Sequence, residues 1–247
     1  MRKVILHYHL FKNAGTSLDA AFKENFSEEK GEWVTKEFPN QPAANREQVR
    51  QWILDNPQAK CFSSHTAIFP VPEFEDIEVF PVIFVRHPID RIASAYSFEK
   101  NQKVDTFGSV LARNTDLKGY IETRLALPHD RQCRDFHAHR FAANNIIAKG
   151  EYDSPLKEID NLPFIGLVER YEESLELLET KLVQFGFEDI SFKVVKQNVS
   201  QDSKLSVSEK VEKVRDKLGE ELYSRLLADN STDFDLYNLV KERFENA

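Results

Sequence analysis

The sequence predicts an α/β fold, a central parallel sheet flanked by helices, in a single domain spanning 1–247. Three observations carry that expectation. Short apolar, β-branched runs alternate with longer segments of helical period, the pattern of parallel strands joined by crossover helices. The 247 residues, 41% hydrophobic and 30% charged, suffice for one sizeable core. An arginine ends the most apolar run, at the carboxyl end of a strand where open α/β sheets gather their ligands.

Val4–Leu10 alternates around Ile, Leu and Tyr and reads as the first strand, with a helix at Ser17–Phe26 after it. Arg46–Leu54 has helical period and stops before Asn56-Pro57. Ala59–Phe62 is a short strand followed by Ser63-Ser64-His65, and Pro70, Pro72 and the acids up to Asp76 mark a surface loop. Phe80–Val85 is apolar enough for a buried parallel strand. Pro88 stops it, and Asp90 is placed to cap a helix running to about Asn101. Helices dominate from there to Lys149, a mainly helical insertion at about 102–150. Phe164–Val168 is a further buried strand, Glu172–Phe185 a helix, and Ile190–Val195 the last strand. Ser206–Leu227 and Asp233–Phe244 make a helical C-terminal region at about 206–247.

Composition removes several functions. A net charge of −8 argues against general nucleic-acid binding. Within that acidic total, Arg113–Lys149 holds seven Lys/Arg against four Asp/Glu, whereas Glu151–Ile190 holds three against eleven. The basic stretch is either a surface for an anion or one of two solvated helical faces. The two cysteines, Cys61 and Cys133, fit no metal spacing and no disulfide framework. No run approaches the ~20 apolar residues of a membrane span. The apolar run after Met1-Arg-Lys is too short and interrupted for a signal peptide. A cytoplasmic protein is expected.

Two segments carry chemistry. His9-Leu-Phe-Lys-Asn-Ala-Gly-Thr-Ser17 lies between the first strand and first helix, where backbone N–H groups and the helix dipole attract an anion. Gly15 permits close backbone approach, Thr16 and Ser17 add hydroxyls, and Lys12 adds a charge. Lys12 precedes the glycine, so this is no Walker loop and a nucleotide kinase or ATPase is disfavoured. The second segment, Val82-Ile-Phe-Val-Arg-His-Pro-Ile-Asp-Arg-Ile-Ala-Ser-Ala-Tyr96, delivers Arg86 from a strand end, with a planar fork suited to phosphate. Ser94 follows eight residues later. Arg91 is expected to be structural, and Tyr96 to belong to the core.

The first segment resembles the His-Ile-Pro-Lys-Thr-[Ala/Gly]-Gly-Thr-Ser loop of the carbohydrate-type sulfotransferases that use 3′-phosphoadenosine 5′-phosphosulfate (PAPS). Phe11 and Asn13 depart from its Pro and Thr, which loosens the loop and asks Asn13 for a donor. The second resembles the family's 3′-phosphate motif, Arg-[Asp/His]-Pro-x-x-Arg-x-x-Ser-x-[Tyr/Phe]. Phe164–Leu175 is similar to a strand-to-helix segment of the family, Lys196–Ser200 to the loop closing on the nucleotide, and Asp233–Tyr237 to the terminal helix. The resemblance implies a P-loop-like domain binding PAPS through Lys12, Asn13, Ala14, Gly15, Thr16, Ser17, Arg86, Ser94 and Asn198. The product would be 3′,5′-diphosphoadenosine (PAP), and the acceptor a hydroxyl, by family type that of a saccharide. It implies no metal, since the donor carries its own leaving group. Lys12 would be an electrostatic catalyst.

A general base near the acceptor should be a histidine of suitable pKa. His65, which matches the family's Ser-Gly-His position, is the candidate, against the alternative of a loop histidine bound to backbone. Acids in the Pro72–Glu78 loop, or one of His137 and His139, come next. Two other readings stay open. His7 and His9 face one side of the first strand and could serve a metal-dependent hydrolase. A non-catalytic nucleotide-binding module would keep the phosphate motifs without a working base.

Overall fold

The computed structural model of the chain describes residues 1–142, 159–193 and 205–246. Among them four strands, β1 (Arg2–Tyr8), β2 (Trp33–Thr35), β3 (Cys61–Ser64) and β4 (Ile77–Val82), form a parallel sheet in the order β2-β3-β1-β4. A second parallel pair joins β5 (Phe84–Val85) to β6 (Gly166–Leu167). The helices are α1 (Gly15–Asn25), α2 (Pro42–Asp55), α3 (Pro88–Asn101), α4 (Phe107–Asn114), α5 (Leu117–Ala126), α6 (Phe136–Phe141), α7 (Tyr171–Phe185), α8 (Val207–Leu218), α9 (Glu220–Ala228) and α10 (Ser231–Glu245). The expected parallel sheet flanked by helices is the observed fold. None of these helices is long and apolar enough to cross a membrane.

The chain divides into two compact units, Met1–Val85 with Arg140–Asn198, and Arg86–His139 with Val199–Ala247. In the first, strand alternation sets the layers. Ile5 of β1, Cys61, Phe80 and Val82 form one sheet face, packed against Leu18, Phe22 and Phe26 from α1 and its end and Leu175, Leu178 and Leu182 of α7. On the other face Phe62 meets Trp52 of α2 edge-on at 4.8 Å, and Tyr8 stacks on Phe69 at 4.4 Å. β1 lies between β3 and β4, its Ile5 opposite Cys61 and Phe80. The sheet is thus covered on both faces, as parallel sheets require.

The second unit is helical around Ile89, Ile92, Tyr120, Ile121, Leu125, Leu218 and Leu226. Arg91 is fully buried there, its guanidinium over the Phe136 ring and bonded to the Gln132 carbonyl. It is structural, as expected, though its partners are an aromatic face and a carbonyl, and burial draws its pKa down to about 10. Arg113, Arg124 and Arg134 of the basic stretch pair with Asp105, with Glu99 and Asp130, and with Asp229. These three charges serve internal ion pairs.

Several boundaries differ from expectation for local reasons. Helix α3 starts at Pro88, which suits the first helical position, so Asp90 sits inside the first turn and accepts from Arg86 instead of capping. The single C-terminal helix expected at Ser206–Leu227 is two, broken at Gly219, whose φ of 76° and ψ of 163° only glycine adopts readily. Of the expected strand Ile190–Val195, Ile190–Lys193 is described and is not strand. The N–H groups of Ser191 and Phe192 go instead to the Asn25 and Glu179 side chains.

The starts of α6 and α10 cap one another. Asp233 accepts from the backbone N–H of His137 at 3.0 Å and Ala138 at 2.7 Å, and from His137 Nδ1 at 3.1 Å, while its own N–H donates to Asp135. Burial pushes the Asp233 pKa up, but the charge and hydrogen bonds of His137 and the two N–H groups outweigh it and leave it lowered. Removing this buried acceptor leaves three donors unmet. Asp233→Ala should cost about 3–5 kcal/mol of stability, read from the midpoint shift in urea unfolding.

Candidate active site

The loop after β1 owes its shape to two residues that are not glycine. Lys12 and Ala14 have φ of 64° and 60°, in the left-handed region, while Asn13 and Gly15 stay outside it. Such residues cost roughly 1–2 kcal/mol each, and alternating backbone hands of this kind turn successive N–H groups toward one concavity. Asn13 is buried, and its side-chain amide donates to the Phe11 carbonyl at 3.0 Å. The two departures from the family pattern therefore meet each other: the Asn13 amide braces the turn that proline would stiffen. At the start of α1, Ser17 and Leu18 donate to the Ala14 carbonyl. The N–H groups of Ala14, Gly15 and Thr16 meet no acceptor among the described residues. Three consecutive donors at a helix N-terminus, with Lys12 alongside, are an arrangement suited to an anion.

Gly15 is required for a reason that its position alone does not reveal. A Cβ built there would lie 2.0 Å from Cδ2 and 2.4 Å from Nε2 of His9. The glycine makes room for an imidazole, and the loop is moulded around it. The His7 and His9 rings stack at 5.4 Å on one face of β1 and its extension, as the alternation predicts. His9 then meets His65, which follows β3, with ring centroids 3.8 Å apart. So the structure brings the Lys12–Ser17 loop and His65 together through His9.

His65 is exposed at its own position and its backbone N–H donates to Glu37 at 3.3 Å. Burial of its ring and then the neighbouring His9 draw the His65 pKa below the ordinary imidazole value, against the pull of Glu37 and Asp19. The ring is therefore neutral at neutral pH and able to accept a proton. His137 is held by Asp233 in the interior of the second unit and is unavailable as a base. His139 is exposed on α6.

In the second unit, Arg86 directly follows β5. Its Nε donates to Asp90 Oδ2 at 2.7 Å, an i,i+4 pair that fixes the plane of the guanidinium. Ser94 is on α3, partly buried, two turns beyond the helix start. His87 packs edge-on against Phe234 and Tyr237, and burial draws its pKa down to about 4. Asn198 lies outside the described residues.

The residue that the sequence reading missed is Asp19. It accepts from His7 Nδ1 at 2.7 Å and Ser63 Oγ at 2.6 Å on one oxygen, and from His9 Nδ1 at 2.8 Å on the other. Its signal was available: a carboxylate between Leu18 and Phe22, on the apolar side of α1, has to have partners.

A parallel sheet ending in a lysine-bearing loop lined with N–H groups, with a neutral histidine beside it, defines an α/β protein that handles anionic groups. The comparison with known proteins carries this further: residues 1–240 match the Sulfotransferase family, and the chain belongs to it. It is also 37% identical over 255 residues to an uncharacterized protein of Archaeoglobus fulgidus, a match covering 99% of this chain and 98% of that one. Membership supports sulfuryl transfer to a hydroxyl.

The packing of His9 on Gly15 yields a double-mutant test. Gly15→Ala should destabilise by about 1–3 kcal/mol, the usual cost of overpacking. In a His9→Ala background, where the obstructing ring is gone, most of that cost should disappear. Urea denaturation of the four proteins gives the coupling energy.

Proposed function

We propose that this sulfotransferase takes its sulfuryl group from PAPS and transfers it to a hydroxyl of a saccharide. The observation that carries the proposal is the row of Ala14, Gly15 and Thr16 N–H groups beside Lys12, a site suited to the 5′-phosphosulfate. Arg86, its plane set by Asp90, and Ser94 would hold the 3′-phosphate. Ser17 and Asn13 would complete the loop, one by its hydroxyl and the other as its brace. Asn198 is proposed on the family resemblance alone.

The chemistry is an in-line displacement, by analogy with phosphoryl transfer. The acceptor oxygen bonds to sulfur as the bond to the bridging phosphate oxygen breaks, and the electron pair leaves with PAP. Negative charge grows on that oxygen, where Lys12 and the loop N–H groups stabilise it; such donors are worth ~10²–10³ in rate. His65, neutral at working pH, would take the hydroxyl proton. Dipoles and donors already in place supply this stabilisation without reorganisation.

Two measurements test the assignment. Arg86→Ala should weaken PAP binding by about 2–4 kcal/mol and erase discrimination between PAPS and adenosine 5′-phosphosulfate, which lacks the 3′-phosphate. Calorimetry and donor competition read both; equal discrimination by native and variant proteins would remove Arg86 from the 3′ site. His65→Ala should lower kcat by ~10²–10⁴ while PAP affinity holds. Because the His65 pKa is lowered, activity of the native enzyme should fall only once pH drops below the ordinary imidazole range, and the variant's rate should lose that acidic limb.

A further inference from the structure

The roles proposed for Lys12 and His65 leave one half-buried carboxylate unused. Burial pushes the Asp19 pKa up, but the adjacent His7 and the hydrogen bonds from His7, His9 and Ser63 outweigh it and hold the carboxyl well below the usual range. An ionised carboxylate only accepts, so both imidazoles must carry a proton on Nδ1 and both ring planes are fixed. The separations are those of hydrogen bonds. Tetrahedral zinc with nitrogen and oxygen ligands at 2.0–2.1 Å would hold the ligand atoms about 3.3 Å apart, whereas Nδ1 and carboxylate oxygen here are 2.7 and 2.8 Å apart.

From Asp19 the chain of contacts runs outward. His9, clamped through Nδ1, presents Cδ2 and Nε2 to Gly15 in the loop and packs against the His65 ring at 3.8 Å. His9 therefore touches both halves of the chemistry in this unit, and among the described residues Asp19 alone hydrogen-bonds its Nδ1.

We infer that Asp19 is a positioning residue for sulfuryl transfer: by locking His9 it sets the orientation of His65 against the anion-binding loop. The inference rests on the reading of His65 as the base. As the acceptor oxygen bonds to sulfur and PAP leaves with the electron pair, the hydroxyl proton passes to His65 and makes it a cation. The titratable groups facing His65 are His9 from the end of β1, Glu37 from beyond β2, and Asp19 from α1. Asp19 thus does two things: it holds the ring that His65 packs on, and its charge favours the imidazolium.

The test uses the full chain with labelled histidine, so that His65 is titrated by NMR without donor or acceptor, beside kcat measurements and PAP calorimetry. Asp19→Asn should lower kcat roughly 10–100-fold, the range for supporting residues around a site, with PAP affinity within about twofold, and should move the His65 pKa further down. His9→Gln, should the first variant fold poorly, is expected to lower kcat similarly but to move the His65 pKa up, because His9 depresses it. Unchanged kcat and an unchanged His65 titration in both variants would overturn the inference. So would stoichiometric zinc in the native protein that Asp19→Asn releases. If His65→Ala keeps its rate, the base assignment fails by itself, while the titration still reports whether Asp19 and His65 are coupled.

Discussion

Holding an ionised carboxylate against the face of a parallel sheet forfeits hydration that only converging donors can replace. Here the period of the strand supplies them. His7 and His9 project from one side of β1 and its extension, two residues apart, and Ser63 stands beside His7 because β1 and β3 pair in parallel register. Asp19 descends from α1 to meet all three. The loop between β1 and α1 has to close so that the carboxylate reaches them, which sets where the loop's own N–H groups point. Change the register of β1 by one residue and both imidazoles move to the other face. The orientation of His9, and with it the ring that His65 packs on, depends on that one carboxylate.

This explains why strain is accepted in the loop. Left-handed Lys12 and Ala14 together cost a few kcal/mol, and glycine at either place would relieve it. Yet the only glycine, Gly15, stands where the His9 ring leaves no space for a Cβ. Glycine is used for contact and the strain is carried elsewhere. Phe11 and Asn13 fit the same account, since the Asn13 amide closes on the Phe11 carbonyl and holds the strained turn from within.

Much of the fold was legible because it rests on period. The helices α1, α2 and α7 followed from apolar spacing, and so did the burial of 80–85, though that run is two strands and not the one expected, parted at Ile83 between β4 and β5. The strand Trp33–Thr35 escaped notice because three residues show no alternation to read; it exists because β3 offers an edge. Gly219 was readable as a break and was passed over within an otherwise continuous helical pattern. Of the site, the loop and Arg86 stood out because their residue types are unusual at strand ends. Asp19 did not, since its meaning is tertiary: it needs donors from β1 and β3, 10, 12 and 44 residues away in the chain. His137 illustrates the opposite error. Its type suggested chemistry, and its burial against Asp233 makes it structural.

A chain of net charge −8 that binds a polyanionic donor has to answer repulsion from its own acids. The two units treat the acids nearest the proposed sites alike, setting each behind a side chain that it orients. Asp19 stands behind His9, and Asp90, buried, stands behind Arg86. In each case the acid is matched by donors at hydrogen-bond distance, and the first thing it supplies is geometric: a ring or a fork held in one plane. A cation free to rotate would lose rotamer freedom on binding, whereas one already fixed loses little, and the difference remains as affinity. Asp90 therefore favours binding at Arg86, by fixing the fork that attracts, and Asp19 favours the orientation of His65, by fixing the ring it packs on.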